Sequence, residues 1–162
     1  MDEKKLQLLL DRTEIVDIVI RYATSIGLHD WAGLRSCYTD QVEIDYTSMI
    51  GGNPIVFKAD DWVTWARENA SGFESVMHYT SNDVVTINGD EATCMSYVHS
   101  EFYLPNDKVD SIWSGGGYYT NGMVRTPDGW KINKTKLTVK WSKGSQELFA
   151  IAKERYASSG KA

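Results

Sequence analysis

The chain has 162 residues, of which 42% are hydrophobic, 12% aromatic and 24% charged, a size and balance that fit one globular domain with a single core and exclude intrinsic disorder. A formal net charge of −5 argues against nucleic acid as a partner, because phosphate binding needs clustered Lys and Arg. The one basic run, Lys131, Lys134, Lys136, Lys140 and Lys143, falls largely at strand spacing and reads as a solvated face.

Two cysteines, Cys37 and Cys94, are too few for a disulfide framework and lack the His/Cys pattern of a zinc site. Both read as reduced core positions, and no metal or redox cofactor is expected. The N-terminal MDEKKLQLLLDR has no long apolar region and no small-residue cleavage site. No stretch approaches the roughly 20 apolar residues of a membrane span. The expectation is a cytoplasmic protein without a membrane partner, one domain over 1–162 with residues 1–9 and 157–162 frayed.

Ile15, Ile18, Val19, Tyr22 and Ile26 recur at three- and four-residue steps and predict a helix with one apolar stripe. Gly27 is expected to end it, and Asp30 to cap a short second helix carrying Trp31, Leu34, Cys37 and Tyr38. Val42, Ile44 and Tyr46 alternate with Glu43 and Asp45 in a half-buried strand. After a Gly51-Gly52-Asn53-Pro54 turn and a short extended piece at Ile55 to Phe57, Asp60 opens a third helix carrying Trp62, Trp65, Ala66 and Asn69, which Gly72 stops.

The remainder reads as strand. Glu74 to Ile87 ends at the hairpin turn Asn88-Gly89. Glu91 to Leu104 follows, then Val109 to Arg125 with a bulge or bend at Gly115-Gly116-Gly117, then Trp130 to Trp141. Ser145 is expected to cap a closing helix that aligns Leu148, Ala152 and Tyr156. Helices followed by an antiparallel meander give an α+β domain.

His78, in MHYTSND, shares a strand face with Thr80, Asn82 and Val84. On a concave face it is a candidate general base, with an unperturbed pKa near 6.5; the alternative is a hydrogen-bonded core histidine. In the strand around His99, Cys94, Ser96, Val98, Ser100 and Phe102 form the small face that suits a cavity wall. Met95, Tyr97, His99, Glu101 and Tyr103 form the bulky face, which suits contact between subunits and predicts a homodimer or homotrimer. His29 is placed toward water. Tyr22, Tyr46, Tyr119 and Asn121 can converge with His78 on one cavity, where phenols hold a carbonyl or enolate oxygen without ionising.

The order of helix, HDW helix, VEIDY strand, Trp-bearing helix, MHY strand and DGW strand resembles the SnoaL-like branch of the NTF2-like superfamily, over about residues 10 to 142. HDWAGLR followed by VEIDY is similar to scytalone dehydratases, and GGGYYTNGMVRTPDGW to bile-acid 7α-dehydratases. The resemblance implies a cone-shaped barrel with a curved mixed or antiparallel sheet, three N-terminal helices and a C-terminal helix. It places the family's histidine on His78, a carbonyl-binding tyrosine on Tyr46, an asparagine on Asn121 and a helix tyrosine on Tyr22. The family's aspartate partner of the histidine falls on Gly27. Its second acid falls near Ser100, a second histidine near Phe102, and its late arginine near Val139 or Lys140.

The implied activity is that of a cofactor-independent lyase, isomerase or cyclase, a dehydratase or polyketide cyclase among them. It would act on a hydrophobic oxygenated ring compound of polyketide, steroid or terpenoid type, as in secondary metabolism. His78, Tyr46 and Asn121 would be catalytic, with Tyr22, Ile26, Trp62, Trp65, Ser96, Ser100, Phe102 and Tyr119 contacting substrate. The missing acid at Gly27 keeps open a second reading, a non-catalytic module of the same fold that holds a hydrophobic ligand or assembles with a partner.

Overall fold

The computed structural model of the chain describes residues 2–160. The first helix, α1 (Glu3–Leu28), opens with Asp2 accepting a hydrogen bond from the Lys4 amide at 3.1 Å and buries Ile15, Ile18, Val19, Tyr22 and Ile26 along one stripe. Gly27 does not end it. The helix runs on to Leu28, and His29 closes it in the left-handed conformation, φ 56°, its N–H bonded to the carbonyls of Ser25 and Ile26. Gly27 serves another purpose: a Cβ there would stand 2.8 Å from the Val76 carbonyl oxygen, so the bare backbone lets α1 lie directly on a strand.

Asp30 caps α2 (Trp31–Ser36) by accepting from the Gly33 amide at 2.8 Å. The strand β1 (Tyr38–Asp45) follows, then a four-residue helix α3 (Thr47–Ile50), β2 (Ile55–Lys58) and α4 (Ala59–Ala70). Four helices therefore precede the long strands, where three were expected. The additional one, α3, takes Tyr46 out of the strand and makes it the first residue of a turn. The meander is β3 (Ser75–Asn88), β4 (Glu91–Tyr103), β5 (Ile112–Thr126) and β6 (Gly129–Lys143), and α5 (Glu147–Ser158) closes the described chain.

These strands form one six-stranded sheet in the order β2-β1-β6-β5-β4-β3, with β1 parallel to β6 and every other pair antiparallel. The expected barrel is corrected here: the sheet is open, because β2 and β3 are its two edges and do not pair. Closure would require the four-residue β2 to meet the far longer β3, whose inner face is instead covered by α1. Helices complete the enclosure that strand pairing does not.

Two irregularities redirect side chains. In β3 the register with β4 shifts between Ser81 and Val84, where Asn82 takes φ 57°. Val76, His78 and Thr80 face inward before it, and Asp83, Val85 and Ile87 after it. Asn82 and Val84 therefore leave the face of His78, and Val84 is 54% exposed. In β5 the register with β6 shifts between Gly116 and Gly117, the bulge expected from the glycine run.

A buried ion pair fastens α1 to the far end of the sheet. Asp11 accepts from both terminal nitrogens of Arg125 at 2.8 Å, from Trp130 Nε1 at 3.1 Å and from Gln7 Nε2 at 3.0 Å. The Arg125 guanidinium, the largest cause, holds the Asp11 carboxyl well below the usual range. Cys37 and Cys94 are buried free thiols, and burial pushes the Cys37 thiol up to about 11. Among the described residues no helix is long and apolar enough to cross a membrane.

Candidate active site

A cavity of about 210 Å³ lies between the inner face of β3–β6 and the helices α1, α4 and α5. The α1 stripe delivers Tyr22 and Ile26 to it, and α3 delivers Tyr46. The alternation of β3, β4 and β5 delivers His78, Ser100 with Phe102, and Tyr119. On α4, the spacing of Trp62 and Trp65 turns both rings inward, stacked at 4.9 Å and 15° and meeting the Tyr46 ring edge-on at 5.4 and 6.3 Å.

Three phenols converge at one end. Tyr22 Oη and Tyr46 Oη are 2.7 Å apart, and Tyr22 donates to Tyr119 Oη at 3.2 Å. Since Tyr22 has one hydrogen and gives it to Tyr119, Tyr46 must be the donor to Tyr22. The chain Tyr46 to Tyr22 to Tyr119 uses two of three hydroxyl hydrogens, leaving that of Tyr119 for another acceptor. Burial first, then the neighbouring phenols, pushes Tyr22 and Tyr46 well above the ordinary tyrosine range, and burial raises Tyr119. All three stay neutral donors at physiological pH.

His78 stands opposite Ser100 in the β3–β4 ladder, its ring edge-on to Phe102 at 5.6 Å. Its Nδ1 is sealed in without a hydrogen-bond partner. Burial pushes its pKa down to about 4, making the imidazole neutral at pH 7. No Asp or Glu lines the cavity. Asp45 accepts from the Thr47 hydroxyl at 2.6 Å and pairs with Lys136 at 3.3 Å, and Glu101 lies on the outer face beside His99 at 3.8 Å. Neither lines the cavity. Among the described residues no group of three or more His, Cys, Asp or Glu is placed to hold a metal ion.

Of the residues expected here, nine line the cavity: His78, Tyr46, Tyr22, Ile26, Trp62, Trp65, Ser100, Phe102 and Tyr119. Asn121 and Ser96 do not. Both face inward on their strands, but Asn121 is 1% exposed and accepts from the Thr135 hydroxyl at 2.9 Å, while Ser96 donates to Asp83. Ser96 stands opposite Tyr119 in the β4–β5 register, and Asn121 lies two residues beyond Tyr119 along β5. His99 is on the outer face, between Tyr79 and Trp141 at 6.1 and 5.5 Å. His29 is partly enclosed by its stack on Trp31, and burial lowers its pKa.

Sequence reasoning missed the wall opposite the phenols, where Trp113 and Phe149 pack edge to face at 5.2 Å and both meet Phe102. The signal for Trp113 was its place two residues before Gly115, whose missing Cβ leaves room for the indole to lie flat on the strand. Phe149 gave no signal, since it lies one position off the stripe of Leu148 and Ala152 that buries α5.

The SnoaL-like domain pattern matches residues 7–136. A crystal structure of a protein from Kribbella flavida is 31% identical and superposes with a TM-score of 0.82, covering 90% of this chain and 98% of the other. An uncharacterized protein from Mycobacterium tuberculosis is 27% identical over 122 residues, 75% of this chain and 80% of its own length. The structure of a candidate aromatic ring hydroxylase from Novosphingobium aromaticivorans shares the fold at 23% identity and a TM-score of 0.75, covering 87% and 97% of the two chains. By the span of that match, the chain belongs to the SnoaL-like domain family of the NTF2-like superfamily.

Proposed function

We propose that this protein is a cofactor-independent lyase, isomerase or cyclase acting on an uncharged, oxygenated ring compound of polyketide, steroid or terpenoid type. The observation that carries the reading is the meeting of the phenol chain and the neutral His78 in one aromatic-walled cavity without a carboxylate. A ligand carbonyl oxygen accepts the free Tyr119 hydrogen, and His78 Nε2 takes a proton from the carbon beside that carbonyl. The negative charge moves onto the oxygen, where the phenols stabilise it, while the imidazolium balances it. The proton then goes to a departing β-hydroxyl, releasing water, or returns to another carbon, completing an isomerisation. Ring closure follows if the enolate carbon attacks a second carbonyl and the proton goes to the new alkoxide.

The sealed Nδ1 favours one rival. A base with a pKa near 4 and no acceptor on its second nitrogen is weak, which suits a module that holds such a ligand unchanged. Incubation with a panel of β-hydroxy ketones and polyketide-like substrates separates the two. The enzyme reading expects turnover in the purified protein that His78→Ala abolishes with little change in Tm. Saturable binding of the same compounds with no product would replace it by the binding reading.

A further inference from the structure

Outside the cavity, a recess of about 750 Å³ lies where the carboxyl ends of α1, α4 and α5 approach one another. His29, Trp31, Arg67, Ser71, Arg155 and Ser159 are part of its wall, and no Asp or Glu is. That is notable in a chain with 22 acidic residues against 17 basic. It is separate from the tyrosine cavity: α4 turns Trp62, Trp65, Ala66, Asn69 and Ala70 to the cavity and Arg67 to the recess, and the two share no lining residue.

The negative carboxyl end of a helix attracts cations, which accounts for a basic residue in the last turn of both α4 and α5. It does not account for how Arg67 is held. Its guanidinium lies 5.8 Å over the Trp31 ring, and its Nε is buried without a hydrogen-bond partner. Among the described residues it makes no ion pair. Arg155 reaches Glu74 only at 3.8 Å, with both side chains more than half exposed at 53% and 57%, a contact too loose and wet to neutralise it. Trp31 is stacked on His29 at 5.4 Å and 16°, and the pair gives the recess an aromatic side beside its positive charge.

We propose that this recess is a binding site for an aryl carboxylate, with the carboxylate on Arg67 within the positive field of Arg155 and the ring against the stacked pair of Trp31 and His29. The planar fork of a guanidinium matches a carboxylate, the hydroxyl of Ser71 supplies a further donor, that of Ser159 being given to the Tyr156 carbonyl at 2.7 Å, and the stacked Trp31 and His29 rings supply the surface for the ring. The site is independent of the proposed reaction.

The test is a titration of the full chain with benzoate at fixed ionic strength, followed by amide shifts in nitrogen–proton correlation spectra. Saturable shifts are expected at His29, Trp31 and Ser71, at least tenfold weaker in Arg67→Gln and several-fold weaker in Arg155→Gln. Benzamide, which keeps the ring and loses the charge, is expected to bind at least tenfold more weakly, and inorganic phosphate more weakly than benzoate. The exposed Arg155 provides a variant that folding does not depend on. The proposal is overturned by any of four results: no saturable shift with benzoate, shifts centred on His78 and Tyr119 instead, unchanged binding in both variants, or benzamide or phosphate binding as tightly as benzoate.

Discussion

Gly27 of α1 lies against Val76 of β3 so closely that a Cβ on the glycine would meet the valine carbonyl oxygen at 2.8 Å. The contact sets how near the helix bearing Tyr22 comes to the strand bearing His78. In an ordinary helix, replacing Gly by Ala stabilises by about 1 kcal/mol. Here the sign reverses: Gly27→Ala is expected to lose about 1–2 kcal/mol, since backbone must move to admit the methyl group. Urea unfolding of the two proteins measures the difference.

The depressed pKa of His78 has a consequence for stability. Its folded value of about 4 lies below the unfolded value near 6.5, so the unfolded chain binds more protons between these limits. The stability tied to neutral His78 is complete above pH 6.5 and is lost as pH falls toward 4, by at most about 3 kcal/mol. The ring's open edge on the cavity keeps the loss below that ceiling. Wild type is expected to lose more stability than His78→Leu between pH 7 and pH 4.5, by denaturant titration at each pH, the other titrating groups cancelling in the comparison.

Tyr22 is the middle member of the phenol chain, bonded to both Tyr46 and Tyr119. Tyr22→Phe removes both bonds and is expected to cost about 1–3 kcal/mol, because buried hydroxyls are left without partners. Tyr119→Phe removes only one bond and the free hydrogen. Its expected signature is a drop in kcat of about 10²–10³ with a stability change of about 1 kcal/mol. Paired kinetics and melting curves distinguish the two positions.

Asp11 is 4% exposed and accepts from Arg125, Trp130 and Gln7. Arg125 keeps 32% of its side chain exposed, so the loss on removing its partner falls short of that for a fully buried pair. Asp11→Ala is expected to cost about 2–3 kcal/mol and to leave ligand binding in the distant cavity unchanged, which calorimetric melting with and without ligand would check.

The outer face of β3–β6 leaves Tyr79, Tyr97 and Trp141 each about half exposed, at 50%, 51% and 50%. We expect this face to join copies of the chain as a homodimer or homotrimer, since so much aromatic surface is unfavourable in water. The double variant Tyr97→Ser, Trp141→Ser is expected to shift sedimentation toward the monomer. A wild type that sediments as a monomer at every concentration would remove the idea.

Much of this architecture was legible in the sequence because periodicity is local. The α1 stripe, the inward set of β4, the Asp30 cap and the Gly116–Gly117 bulge each follow from a few neighbouring residues. The features that were not legible depend on contacts distant in sequence. Gly27 looked like a helix stop, yet only the arrival of Val76 explains it. Asn82 looked like the face-mate of His78, but a bulge turns the strand between them. Asn121 has the inward parity of Tyr119, yet lies beyond the cavity, since parity fixes a face and not a depth. The open sheet likewise depends on how short β2 is relative to β3.

The central claim, that His78 moves a proton in a cavity whose phenols hold the ligand oxygen, is tested most directly by the pH dependence of kcat/KM. On a turned-over β-hydroxy ketone, wild type is expected to give a plateau through neutral pH and to fall on the acid side with a midpoint near 4, the value of His78 in the free protein. His78→Ala is expected to be inactive across the range at near-native Tm. Activity retained in His78→Ala with the same acid limb would contradict the claim.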